Sequence, residues 1–112
     1  MTKLETLIAL RDKVQAGDST NDGSMFRVFG DSWTRCFDAF HGSLDAAKAL
    51  HEAVSPEYRI SLYEEDSGEW RCLIGHKKDV KKYFEVWAET PSRALLLADI
   101  EALIAKEDGA TS

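Results

Sequence analysis

Apolar residues recur at helical spacing at both ends of the chain and every second residue in its middle. Leu4, Leu7, Ile8, Arg11 and Val14 trace one helical stripe. Thr2 and Glu5 form a capping box ahead of it, each side chain able to satisfy the other's free backbone donor. Gly17 is a natural stop, because a left-handed cap costs glycine little. The first helix is therefore predicted over residues 3–16. Gly17–Ser24 reads as a loop by composition. Met25, Phe26, Val28 and Phe29 fit either a short helix ended by Gly30 or a buried strand. Asp31–Gly42 carries Trp33, Phe37 and Phe40 without a clean period, and reads mostly as core, with partner contact as the other reading. Ser43 then caps a strong helix, with Asp45 in its first turn and Leu44, Ala47, Leu50, His51 and Val54 on one face. Pro56 ends that element.

Three strand-like runs follow. Tyr58, Ile60 and Leu62 share one face of the first, and Glu65–Gly68 reads as a hairpin loop. Trp70, Cys72 and Ile74 point inward from the second, and Phe84, Val86 and Ala88 from the third, which spans residues 83–89. Short connections favour an antiparallel meander. The opposite face carries Tyr63, Leu73, Tyr83 and Trp87 beside Arg59, Arg71, Glu85 and Glu89. A purely solvated face would be more polar, so another element or a partner is expected to cover it. Thr90 and Pro91 open the last helix. Ala94, Leu95, Leu97, Ala98, Ile100, Ala102, Leu103 and Ile104 make it apolar almost all round, so it must be well buried or meet a partner. Residues 1–106 are read as one α+β domain of a three-stranded antiparallel sheet and three or four helices, and 107–112 as a polar C-terminal tail that frays.

Charge and cysteine content narrow the function classes. With 14 Lys plus Arg against 20 Asp plus Glu, the 112 residues carry a formal charge of −6, the wrong sign for a general nucleic-acid binder. Cys36 and Cys72 form no CxxC pair, and a reduced cytoplasmic setting suits them. The first residues carry charge and lack the apolar core of a signal peptide. The longest apolar run, Ala94–Ala98, is far short of the ~20 residues a bilayer span needs, so no membrane association is expected.

The helix start Ser43-Leu44-Asp45-Ala46-Ala47, a Trp-bearing hairpin, and Thr90-Pro91-Ser92-Arg93 before an apolar helix together resemble the phage ABA sandwich domain family of small phage and prophage proteins. The leucine-rich first helix ending near Gly17 suits the same pattern. The resemblance implies helix, sheet and helix layers (α/β/α) and a bacterial-host cytoplasm. It carries no activity and no catalytic residues. The aromatic stretch 33–40 and the lysine-rich connector depart from it.

No reactive constellation stands out. Cys36, His41, His51, Cys72 and His76 lack the close pairing of a zinc site. A Cys–His nucleophile could be drawn from Cys36 or Cys72 with His41 or His76, but no local signature supports one. Glu64, Glu65, Asp66 and Glu69 cluster at one hairpin, where a polar turn offers no burial to split their pKa values. Gly75-His76-Lys77-Lys78 is not a phosphate loop, and no cofactor is implied. Lys77, Lys78, Lys81 and Lys82, followed by Tyr83 and Trp87, could contact a polyanion, against the simpler reading of a solvated loop. The expectation is a non-catalytic accessory protein that binds another protein or itself, through Tyr63, Leu73, Tyr83, Trp87 and Trp33. Its alternatives are an inhibitor of a host defence system and a small thiol-dependent enzyme.

Overall fold

The computed structural model describes residues 2–17 and 23–110, so most of the loop read between Gly17 and Ser24 lies outside the described residues. Helix α1 runs over Lys3–Ala16. Its capping box is formed: Thr2 Oγ1 accepts from the Glu5 amide and the Glu5 carboxylate accepts from the Thr2 amide. Gly17 closes it in the left-handed region at φ +75°. Helix α2 (Ser24–Phe29) settles the ambiguous segment as helix. A 3₁₀ turn at Gly30–Ser32 leads into α3 (Trp33–Phe40). Gly30 takes φ +56° and ψ −130°, a bend that only glycine makes cheaply, and it breaks α2 from α3. Counting Ser24–Phe40 as one broken segment gives four helical segments among the described residues.

Helix α4 (Leu44–Val54) starts where Ser43 Oγ accepts from the Ala46 amide. Strands β1 (Tyr58–Glu64), β2 (Trp70–His76) and β3 (Tyr83–Ala88) form an antiparallel sheet in that order. The register aligns the inward residues across all three strands: Leu62 with Cys72 and Val86, and Ile60 with Ile74 and Phe84. Helix α5 (Pro91–Ala110) carries the polar segment beyond Lys106 as further helix, where a frayed tail was expected. Lys3 pairs with Glu107 at 3.4 Å, which ties the start of α1 to this last part of α5.

Helix α5 is the centre of the molecule. It lies on the sheet on one side and against α1, α3 and α4 on the other. Every residue from Ala94 to Ile100 is buried. Its all-round apolar surface is therefore covered from within the chain and leaves no broad face for a partner. The order of layers is sheet, α5, then the remaining helices, with the described helices on one side of the sheet. This differs from a sheet held between two helical layers. The physical reason is that α1, α3 and α4 bury their core residues against α5, which keeps them on the inner side of the sheet. Leu96 is fully buried in this middle layer. Leu96→Ala should lower stability by about 3 kcal/mol. The urea midpoint would fall with little change in the m-value.

Candidate functional site: an uncovered sheet face

The two faces of the sheet differ. Cys72 and Ile74 at the centre of the inner face are fully buried under α5. On the outer face the register forms three cross-strand rows. They are Arg59–Gly75–Tyr83, Ser61–Leu73–Glu85 and Tyr63–Arg71–Trp87. Tyr63, Tyr83 and Trp87 are 44%, 61% and 48% exposed. Aromatics so open on one sheet face are uncommon in a solvated surface and typical of an interface core.

Arg71 organises the acidic end of this face. Its guanidinium lies 4.6 Å from the centre of the Tyr63 ring. It also pairs with Glu65 at 3.2 Å and with Glu85 at 3.4 Å. At the opposite end the face opens into a depression of about 660 Å³, bordered by Arg59, Leu73, Gly75, Lys77, Val80 and Tyr83. Gly75 faces this open space: a Cβ built there would meet nothing within 4 Å. Sequence reasoning missed Gly75 as a site residue. Its signal was a glycine at an outward position inside a strand, where glycine weakens a sheet unless space is needed.

Four of the residues expected at an interface, Tyr63, Leu73, Tyr83 and Trp87, share this face. Trp33 does not. It sits on α3 with an edge-on contact to Phe37 at 6.4 Å, and α3 packs on α4 and α5. The expectation that the aromatic stretch is mostly core is corrected as well. Phe40 is buried, whereas Trp33 and Phe37 lie at the surface, because the 3₁₀ turn re-aims α3.

The lysine connector is a closed turn. Lys77 N donates to Glu57 O, Lys82 N to Asp79 O and Lys81 N to the Asp79 carboxylate. Lys77, Lys78, Lys81 and Lys82 are exposed and form no ion pair among the described residues. They do not converge on one point. Lys77 borders the Gly75 depression, while Lys81 and Lys82 line a second one of about 530 Å³ with Lys106 and Tyr58.

Both thiols are sealed. Cys36 and Cys72 are fully buried, and burial pushes each up to about 12. A nucleophilic cysteine needs the opposite shift. No group of three or more metal-ligating side chains occurs among the described residues.

One titratable pair is deeply buried, and sequence reasoning had placed only its histidine. His51 Nδ1 lies 2.6 Å from Asp99 Oδ1, and His51 Nε2 lies 2.8 Å from the Tyr58 carbonyl oxygen. A carbonyl only accepts, so Nε2 carries a proton. The remaining proton is shared between Nδ1 and the carboxylate. Burial pulls the imidazole down, but the hydrogen bond and charge of Asp99, the Tyr58 carbonyl and Glu57 together raise it. Burial pushes the Asp99 carboxyl up, against the pull of His51. The ring nitrogen that would act as a base in a catalytic dyad is committed to the main chain. The geometry is that of a structural tie between α4, α5 and the start of β1. Its signal was an acidic residue inside the apolar run Leu95–Ile100 and a histidine on an apolar face of α4.

No family model, curated protein or solved structure matches this chain. Among the described residues no helix is long and apolar enough to cross a membrane.

Two predictions follow from the buried groups. In the native protein iodoacetamide should modify neither Cys36 nor Cys72 over a period in which denatured protein is fully alkylated, as read by intact mass. The folded pair holds two protons, whereas the unfolded chain holds one above the ordinary histidine value near 6.5. The stabilisation from the raised His51 is thus fully present below about pH 6.5 and is lost as pH rises through the folded value, by up to ~1.4 kcal/mol per unit. Asp99→Asn can donate its amide hydrogen to the neutral ring and should remove this part of the slope. Urea melts of both proteins at pH 6 and pH 8.5 check it.

Proposed function

We propose that this chain is a small accessory protein of phage or prophage origin that works in the bacterial cytoplasm by binding a protein through its outer sheet face, without chemistry of its own. The observation that carries the binding role is the cluster of Tyr63, Tyr83 and Trp87 left open around Leu73 on a regular, hydrogen-bonded platform. Such rings lose little side-chain entropy on docking and give large apolar contact, which is why they dominate interface energetics. The phage assignment rests only on the resemblance of its helix starts and hairpin to the phage ABA sandwich family, whose helix–sheet–helix layering this chain does not share. The sealed thiols and the committed His51 ring favour binding over catalysis.

Inhibition of a host defence system is compatible with the same face. Mimicry of nucleic acid gains no support, because acidic and basic residues occupy opposite ends of the sheet rather than one stripe.

The binding role is tested by capture with tagged full-length chain from lysates of the natural host, comparing wild type with Leu73→Arg. Leu73 is half-buried on the outer face, so the substitution leaves the core intact. A defined protein, the chain itself included, should be retained by wild type and lost at least tenfold with Leu73→Arg. Equal capture by both, with both folded by circular dichroism, would remove the sheet face from the function.

A further inference from the structure

The outer face is complementary to itself. Its hairpin end carries Asp66 and Glu69, with Glu65 beside them already paired with Arg71 at 3.2 Å. Its other end carries Arg59 and Lys77, neither of which has an ion-pair partner among the described residues, whereas Lys81 and Lys82 lie toward α5. We infer that the occupant of this face is a second copy of the chain, laid face to face by a two-fold axis in the plane of the sheet and perpendicular to the strands. The inference rests on reading this face as a docking surface and names its partner.

Such an axis reverses the strands and sets each acidic end over a basic end, the same contact twice. It also lays the row Tyr63–Arg71–Trp87 over the partner's row Arg59–Gly75–Tyr83. The Tyr63 ring then meets a guanidinium and Trp87 meets a second aromatic ring, both favourable pairings. Arg71, the long side chain of the middle strand, faces the space above Gly75. The third row falls on itself with Leu73 at the axis, and each Glu85 is already paired with its own Arg71 at 3.4 Å.

Gly75 is the glycine inside a strand, and nothing in the isolated fold requires it there. Its φ is not positive, and a side chain there would meet nothing within 4 Å. A glycine inside a strand costs stability, so neither backbone conformation nor intramolecular crowding accounts for it. Space for an opposing sheet does. A generic acidic partner would satisfy the basic end and leave the hairpin carboxylates facing their like. A second copy satisfies both ends at once.

The contact is small. Three strands about 4.8 Å apart and some seven residues at ~3.4 Å give a face of roughly 14 × 24 Å. That is roughly 340 Å² in plan per copy, below the size of a stable interface, so the pairing should be transient, with a dissociation constant on the order of 100 µM.

Sedimentation equilibrium of the full chain up to about 500 µM tests the inference. Wild type should show a monomer–dimer equilibrium. Gly75→Val fills the notch with a good strand former and should weaken dimerisation at least tenfold, with an unfolding midpoint no lower than wild type. A basic-end variant (Arg59→Glu, Lys77→Glu) and an acidic-end variant (Asp66→Lys, Glu69→Lys) should each stay monomeric alone and dimerise when mixed. In the mixed pair both ends are again complementary. A wild type that remains monomeric, a Gly75→Val that dimerises like wild type, or charge variants that fail to pair on mixing overturns the inference. If wild type is monomeric while Leu73→Arg still abolishes capture of a different protein, only self-pairing fails. If capture is also unaffected, the docking reading fails with it.

Discussion

Asp99 is the constraint on which the rest of the fold depends. It sits in the middle of the helix that is buried on every side, where an isolated carboxylate is intolerable. Its one described hydrogen bond is to His51 on α4, and the same ring reaches the Tyr58 carbonyl where β1 begins. Three elements are thereby tied at one point: α5 in the middle, α4 above it and the sheet below. Such a pair contributes little net stability compared with apolar replacements. Removing one partner, however, strands a buried polar group at a cost of about 3–5 kcal/mol. Its contribution is to placement. The separation of Asp99 on α5 from the Tyr58 carbonyl is set by what the His51 imidazole spans, and Pro56 prevents α4 from continuing toward β1.

Once α5 is held there, the two faces of the sheet acquire different roles. The inner residues Cys72 and Ile74 are sealed. Among the described residues no helix covers the outer ones, because α1, α3 and α4 bury their apolar stripes on α5. Tyr63, Tyr83 and Trp87 are therefore not a lapse in core packing. They are large side chains on positions where the pleat directs them away from the core, and polar residues could have stood there without disturbing it.

Much of this was legible in the sequence. Helices α1 and α4 and the start of α5 announce themselves through local chemistry: Thr2 with Glu5, Ser43, and Thr90 followed by Pro91. The strands follow from alternation, and the register confirms which residues face α5. The segment Ser24–Phe40 was harder. Its aromatics are divided between core and surface by the bend at Gly30, and no periodicity spans such a break. The layer order was not legible either. An all-round apolar helix says that it is covered, but which neighbours cover it is a matter of topology. Trp33 was grouped with the sheet aromatics for its chemistry alone. Its helix lies on the far side of α5.

The His51–Asp99 pair and both thiols are enclosed by the fold. The His51 ring uses both nitrogens inside the fold, and the thiols are held in their protonated form by burial. What the surface offers instead is shape and charge: a flat strand platform, aromatic rings, an open position at Gly75, and opposite charges at its two ends. A protein of net charge −6 that gathers unpaired cations at one end of a single face creates a local field opposed to its global one. Long-range repulsion between such chains is screened beyond about 10 Å at 0.1 M salt. Contact between complementary ends is shorter in range than that. The acidic balance can therefore keep the chain soluble while the polarity along the strands selects the orientation in which two surfaces meet.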